Sequence, residues 1–250
     1  VNFTPTPAFS ELTAIASQLT SITLNNVVWS IEQPEGVQPL VAAGDEGVLW
    51  VRFPQMLTNE ALETYDMPPI PTGDYALMYT LWRPGGGRLE DQAEKIATFP
   101  SDVGGKELFI TGIASIEGNH FLVYAYNLSR NAVNGGPTRV WWIEPSTNTV
   151  RELLSAPQGG GRFLTLVQNQ RWLFWQRFES GAAAVSDSKQ TALVDLRTGT
   201  SRKIDLPDNK VVPISDRRWD QDGTLRFRFG QETQEYTLDP ETGIVARDER

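Results

Sequence analysis

One histidine and 31 acids bound the chemistry open to this chain of 250 residues. His120 is the sole imidazole, so a Ser-His-Asp arrangement would have to use it as base, and no Gly-x-Ser-x-Gly elbow accompanies it. Placed just after Gly118-Asn119, it reads as a surface turn residue. A centre of several histidines is impossible within one chain, and the absence of cysteine removes thiol nucleophiles, thiolate ligands and disulfides together. Gly104-Gly-Lys106 fails as a phosphate loop, because Pro100 takes the first glycine position and Glu107 follows the lysine where Ser or Thr is needed. Gly85-Gly-Gly87 and Gly159-Gly-Gly161 are read as turns, since neither opens a helix. Asp220-Gln-Asp222-Gly223 starts like a calcium loop but lacks the later oxygen ligands and the closing glutamate, and reads as a hairpin turn. The sequence thus assigns no catalytic, cofactor-binding or metal residue and no cofactor. Carboxylate pairs remain open: Asp45, Glu46, Glu117 and Asp216 lie near turns of one kind, either as solvated turn acids or as members of an acid/base pair.

The elements that would position these residues are short strands. In Val211 to Ala246, Val211-Val-Pro-Ile214 leads to the turn Asp220-Gln-Asp-Gly223, then to Leu225-Arg-Phe-Arg-Phe229 and Tyr236-Thr-Leu238. A second turn, Asp239-Pro-Glu-Thr-Gly243, leads into Ile244-Val-Ala246. Leu225, Phe227 and Phe229 alternate with Arg226 and Arg228, the period of a strand with one buried face. Asp222-Gly223 supplies the positive φ of a tight hairpin. The unit is an antiparallel meander of four strands.

Both turns recur in order. Gly118-Asn119 precedes Phe121-Leu-Val-Tyr124, and Asn169-Gln170 precedes Trp172-Leu-Phe-Trp175. The second turn returns as Glu144-Pro-Ser-Thr147-Asn148 and as Asp195-Leu-Arg-Thr198-Gly199. Its form is an acid that can hydrogen-bond backbone two residues on, Thr, then Gly or Asn to accept a left-handed backbone. A looser copy upstream runs from Leu40-Val-Ala42 through Asp45-Glu-Gly47, Val48-Leu-Trp-Val51 and Ala76 to Leu81, ending at Ile96-Ala-Thr-Phe99. There Pro84-Gly-Gly-Gly87 replaces the second turn, and 54–72 is inserted between strands. A period of roughly 45–50 residues marks a repeat architecture.

Four-stranded units at this period are β-propeller blades. Trp219-Asp-Gln-Asp-Gly-Thr-Leu-Arg-Phe227 resembles the repeat of TolB-like propellers, and Gln168-Asn-Gln-Arg-Trp-Leu-Phe174 resembles the same turn without its Asp-Gly. The Asp box of sialidase-type propellers and the Trp-Asp ending of WD repeats are absent. The fold expected is all-β and propeller-like, with four to five four-stranded antiparallel blades, approximately 37–105, 106–157, 158–207 and 208–250 within a domain of 22–250. Residues 1–21 are expected to hold a linker and a short amphipathic helix: Thr6 caps, Pro7 starts, and Phe9, Leu12, Ala16 and Leu19 recur at helical spacing. Ile22 to Ile31 follows as one strand or a pair broken at Asn25-Asn26, suited to completing a blade. The proline-rich insertion 54–72 reads as a stiff loop that covers a blade edge or meets a partner, and Asn127 to Pro137 as a mobile exposed loop.

A net charge of −9 and a pI near 4.8, with Lys and Arg scattered, disfavour nucleic acid. An anionic membrane surface would likewise repel the chain. No apolar run reaches the length of a membrane span and none has the form of a signal peptide. The chain opens at Val1 and not Met, as expected where a leader has been removed or where the chain is a piece of a longer protein. The aromatic residues are placed inside strands, as sheet packing requires. These features lead to the expectation of a non-enzymatic interaction or scaffold propeller, an accessory subunit of an extracytoplasmic assembly, with cytoplasmic residence also compatible. Protein partners would meet the N-terminal helix and the 54–72 insertion. The alternative is a carbohydrate-active propeller with two central carboxylates, as in five-bladed glycosidases.

Overall fold

A computed structural model describes residues 11–64, 69–102, 107–128, 139–155, 163–178, 190–207 and 214–248. The protein is all-β and propeller-like, built largely from four-stranded antiparallel sheets. Contacts divide the chain into two compact units, one of Val1–Ala43 with Gly47–Phe109, the other of Gly44–Glu46 with Ile110–Arg250.

The first unit contains one meander of the repeat, β4 (Val41–Ala43), β5 (Gly47–Arg52), β8 (Tyr75–Leu81) and β10 (Glu94–Phe99), in spatial order β10-β8-β5-β4. A three-stranded sheet packs on it: β2 (Ser17–Leu24), β3 (Val27–Pro34) and β9 (Gly87–Arg88), the last parallel to β3. Trp29 and Ile31 of β3 share a buried cluster with Val48, Trp50, Ala76, Met78 and Leu89. The indole of Trp50 donates to the Thr80 hydroxyl at 3.0 Å, and that hydroxyl donates on to the Leu89 carbonyl, so two buried polar groups are satisfied in sequence.

The N-terminal helix does not form over the described residues. Thr13–Ala14 is a short strand, β1, and 17–34 is a hairpin in which Leu24 pairs with Val27. Asn25 and Asn26 both have positive φ, 47° and 63°, which is the type I′ geometry that matches strand twist. Helical spacing misled because it did not mark a buried face: Leu12 is 44% and Leu19 59% exposed. The β-branched residues Thr20, Ile22 and Thr23 favour the pleated form instead. Phe9 and the linker Thr4-Pro-Thr-Pro7 lie outside the described residues.

The insertion 54–72 is likewise more than a loop. It folds into β6 (Gln55–Thr58), the short helix α1 (Glu60–Thr64) and β7 (Ile70–Thr72). Asn59 caps α1 by accepting the Leu62 amide at 2.9 Å, with Glu60 and Glu63 at its positive end.

The second unit holds three successive meanders: β11 (Glu107–Ile116, entering from the first unit) to β14 (Thr149–Ser155), β15 (Phe163–Gln168) to β18 (Thr200–Lys203), and β19 (Ile214–Trp219) to β22 (Val245–Arg247). Between these bounds lie β12 (His120–Leu128), β13 (Arg139–Glu144), β16 (Trp172–Phe178), β17 (Gln190–Asp195), β20 (Leu225–Phe229) and β21 (Glu235–Leu238). The first strand of the last meander is described over Ile214–Trp219, and of the expected Val211–Ile214 the residues 211–213 lie outside the described residues. Of the loop expected at 127–137, Asn127 and Leu128 complete β12 and the remainder lies outside.

Strand β16 explains why the middle repeats read as continuous apolar runs. Leu173 and Trp175 join the core shared with β12 and β13, while Trp172 and Phe174 join the core shared with β20 and β21. A strand buried on both faces loses the alternation of a half-buried one. Strand β20 keeps it, because Leu225, Phe227 and Phe229 are buried on one face and Arg226 and Arg228 occupy the other.

Candidate functional site

The repeated turns fold as their chemistry requires. In the first-turn class, Gly118 and Asn119 have φ of 76° and 60°, and Asn169 accepts the amides of Arg171 and Trp172 at 2.8 and 2.7 Å. In the second class, Asp239 accepts the Glu241 amide at 2.9 Å and the Thr242 hydroxyl at 2.8 Å, and Gly243 has φ of 76°. Asp195 accepts the Arg197 amide at 3.0 Å, Glu144 accepts the Thr147 hydroxyl at 2.8 Å, and Gly199 and Asn148 supply φ of 63° and 52°.

These turns locate the four acids singled out in the sequence. The Glu46 amide donates to Asn119 Oδ1 at 3.3 Å and the Glu117 amide to the Gln170 carbonyl at 3.4 Å, both contacts within the second unit. Asp45, Glu46, Glu117 and Asp216 are all exposed. Asp216 pairs with Arg228 at 3.4 Å, and none of the four lines the cleft that the second unit forms. His120 is not the surface residue expected: its ring stacks on Trp142 with centroids 4.7 Å apart, Nδ1 lies 2.9 Å from the Glu117 carbonyl and Nε2 3.6 Å from Glu144.

That cleft, of about 540 Å3, lies on the last meander and is lined by Arg218, Asp220, Arg226, Arg228, Gln234, Glu235 and Asp248, with Thr233. Its residues are placed by register. Arg218 and Arg226 are direct cross-strand partners, an arrangement of like charges that needs intervening acids. Asp220 and Glu235 each contact both guanidinium groups; Glu235 lies 3.0 Å from Arg218 and 3.4 Å from Arg226. Asp248 closes the ring on Arg226, whose side chain is only 11% exposed. The paired Asp220 carboxylate, with Asp248, holds the Arg226 guanidinium well above its ordinary value. Asp222, in the adjoining turn, is held below the usual carboxylate range by the Thr224 amide, which it accepts at 3.0 Å. The calcium-like opening Asp220-Gln-Asp222 is therefore spent on the hairpin and on Arg226. Among the described residues no group of His, Asp and Glu has the arrangement of a metal site.

Chemically the cleft is an ion-pair lattice. Each of its acids is engaged by a guanidinium, so it does not present the free, separated carboxylates that glycoside hydrolysis requires. The arginine alternation was legible in the sequence. Glu235 and Asp248 were not, because only strand register brings them to Arg226.

In the first unit the structure joins the two segments expected to meet a partner. Strands β1, β6 and β7 form one sheet, with Thr13 opposite Thr58, Ala14 opposite Leu57, and Leu57 opposite Ile70. Met56 and Pro71 are buried on one face, whereas Ala14, Leu57 and Ile70 make a partly exposed apolar row on the other.

No protein-family model matches the chain, and no curated protein matches it. Solved structures do. An oligogalacturonate lyase is 12% identical, with 87% of this chain covering 55% of it at a TM-score of 0.44. The virginiamycin B lyase of Staphylococcus aureus is 11% identical, 93% covering 59%, at 0.37. A chain of a nidogen/laminin complex is 12% identical, 94% covering 76%, at 0.34. The chain thus spans little more than half the length of the two lyases. These likenesses concern architecture and identify no substrate. The expectation of a non-enzymatic domain is nevertheless corrected by them: the similar structures are mostly enzymes, a prolyl oligopeptidase from Galerina marginata among them. A missing local motif is poor ground for excluding catalysis on a scaffold whose functional residues come from separate loops.

Proposed function

We propose that this domain is a protein-binding platform within a larger extracytoplasmic assembly, its TolB-like repeats forming the scaffold and its contact made through the β1-β6-β7 sheet. The observation that supports the reading is the apolar row Ala14, Leu57 and Ile70, built from two segments distant in sequence and standing outside the repeated meanders. A sheet that the repeat does not need, with an apolar stripe left partly exposed, is the kind of surface that a protein partner covers. No helix among the described residues is long and apolar enough to cross a membrane.

The test is crosslinking and sizing of the chain in its native extract, with Leu57→Asp and Ile70→Asp as variants. Leu81→Asp is the control, since Leu81 is 63% exposed elsewhere in the unit. A defined partner retained by the wild type and the control but lost by both row variants supports the proposal. A monomer in the extract, or a complex indifferent to both substitutions, overturns it.

A further inference from the structure

Among the described residues, strand β2 is an edge. In the order β2-β3-β9 it pairs on one side with β3, and among the described residues no strand pairs with its other side. Its sequence, Ser-Gln-Leu-Thr-Ser-Ile-Thr-Leu, runs eight residues with no charge and no proline, and none of the eight is buried. Edge strands are ordinarily blunted by charge, proline or brevity. The last strands of the four meanders follow that practice, carrying Glu94 and Lys95, Arg151 and Glu152, Arg202 and Lys203, and Arg247. Among the described residues the β2 sheet also has three strands where each meander has four.

We propose that β2 pairs antiparallel with β2 of a second copy of this chain, about a twofold axis at Ser21. Directly opposed residues in an antiparallel pair must lie on the same face, so a twofold normal to the sheet has to pass through a residue position and not between two. Centring on Ser21 sets Thr20 against Ile22 and Gln18 against Leu24 on the face that carries Trp29 and Ile31. It sets Leu19 against Thr23 on the outer face. Each opposed pair then matches uncharged side chains, with Gln18 against Leu24 the one amide among apolar and hydroxyl-bearing partners, and no charge meets a charge. The nearest acid on the outer face, Glu32 opposite Leu19, is already paired with Arg88 at 3.2 Å, so the net charge of the chain is locally offset where the copies meet. This pairing is independent of the apolar row on β1, β6 and β7.

The register dictates the experiment, because Ser21 is exposed and would oppose itself. Sedimentation velocity of the whole chain, from low-micromolar to several hundred micromolar, is run on the wild type, Ser21→Lys, Ser21→Glu and an equimolar mixture of the two variants. Thermal melts of each variant check folding. The expected result is a concentration-dependent wild-type dimer, self-association of each variant weakened by about tenfold or more, and a heterodimer restored in the mixture. A wild type that stays monomeric overturns the proposal, including one whose edge accepts an extended peptide instead. So do a dimer unaffected by either variant and a mixture that fails to reassociate.

Discussion

The Arg151 guanidinium donates to the Thr198 carbonyl oxygen at 2.8 Å, tying the last strand of one meander to the second turn of the next. The link is repeated one meander further on, where Arg202 donates to the carbonyls of Pro240 and, at 2.9 Å, Glu241. Both arginines stand at the same offset from their own turn acid, Glu144 to Arg151 and Asp195 to Arg202, and at that offset from Asp239 stands Ala246. The second turn therefore has two uses: it closes its own hairpin and gives backbone acceptors to the neighbouring sheet. A repeat protein is stabilised by just such nearest-neighbour terms.

Gly199 sits where the two uses meet, and it separates their energies. It has φ of +63°, and a Cβ there would lie 3.0 Å from the Trp142 ring, whereas Gly223, φ +83°, has open space around it. Gly223→Ala is expected to cost about 1–2 kcal/mol, the penalty of the left-handed backbone alone. Gly199→Ala adds the displacement of a rigid indole, for a total of about 2–4 kcal/mol. Urea titrations of the two variants measure the difference, and equal losses would show that the turn does not press on Trp142.

Arg226 is the ionic counterpart of that packing. Arg226→Met removes the guanidinium that Asp220, Glu235 and Asp248 share and leaves Arg218 to face Asp220 and Glu235, which is expected to lower the denaturant midpoint clearly. Arg228→Met, on a side chain 40% exposed with one partner at 3.4 Å, is expected to cost less than about 1 kcal/mol. Denaturant midpoints of the two variants decide the matter; comparable midpoints would mean that the lattice does not behave as a buried unit.

The turn acids make the fold sensitive to acid. At Asp195 burial acts to raise the carboxyl, but its hydrogen bonds with Arg197 outweigh burial and hold it below its ordinary value. Asp239 is depressed by the Thr242 hydroxyl and then by the Glu241 amide. A depressed folded-state value means stability that is complete above the unfolded value, about 3.9, and lost as pH falls through the lower folded one. The melting temperature is thus expected to fall below about pH 4, and Asp195→Asn with Asp239→Asn to flatten that descent while lowering stability at neutral pH. Melts of the double variant that keep the wild-type acid slope would refute the linkage.

The meanders were legible because their turns are local: Asp239-Pro-Glu-Thr-Gly243 contains every group its hydrogen bonds need. The strands between were legible by alternation only at Leu225–Phe229, where one face is charged. Glu235 and Asp248 reach Arg226 through register, and Ala14 reaches Leu57 through the pairing of strands far apart in sequence. No spacing rule along the chain encodes either contact.

The N-terminal hairpin, expected as one strand or a pair broken at Asn25-Asn26, offers a sharp test of its turn. Asn25 and Asn26 hold left-handed backbone between Leu24 and Val27, a conformation that glycine adopts without a Cβ penalty and a β-branched residue adopts only under strain. Asn26→Gly is therefore expected to raise stability by up to about 1 kcal/mol, and Asn25→Val to lower it by about 1–2 kcal/mol. The sign of each effect discriminates between structures. One strand running through Ile22 to Ile31, the other form the sequence allows, would hold 25 and 26 extended and favour valine over glycine. The hairpin ties them to the register that buries Trp29 and Ile31, so Asn25→Val should also loosen the first unit, read as faster exchange of the β3 amides. Indifference at both positions would return these residues to an ordinary loop.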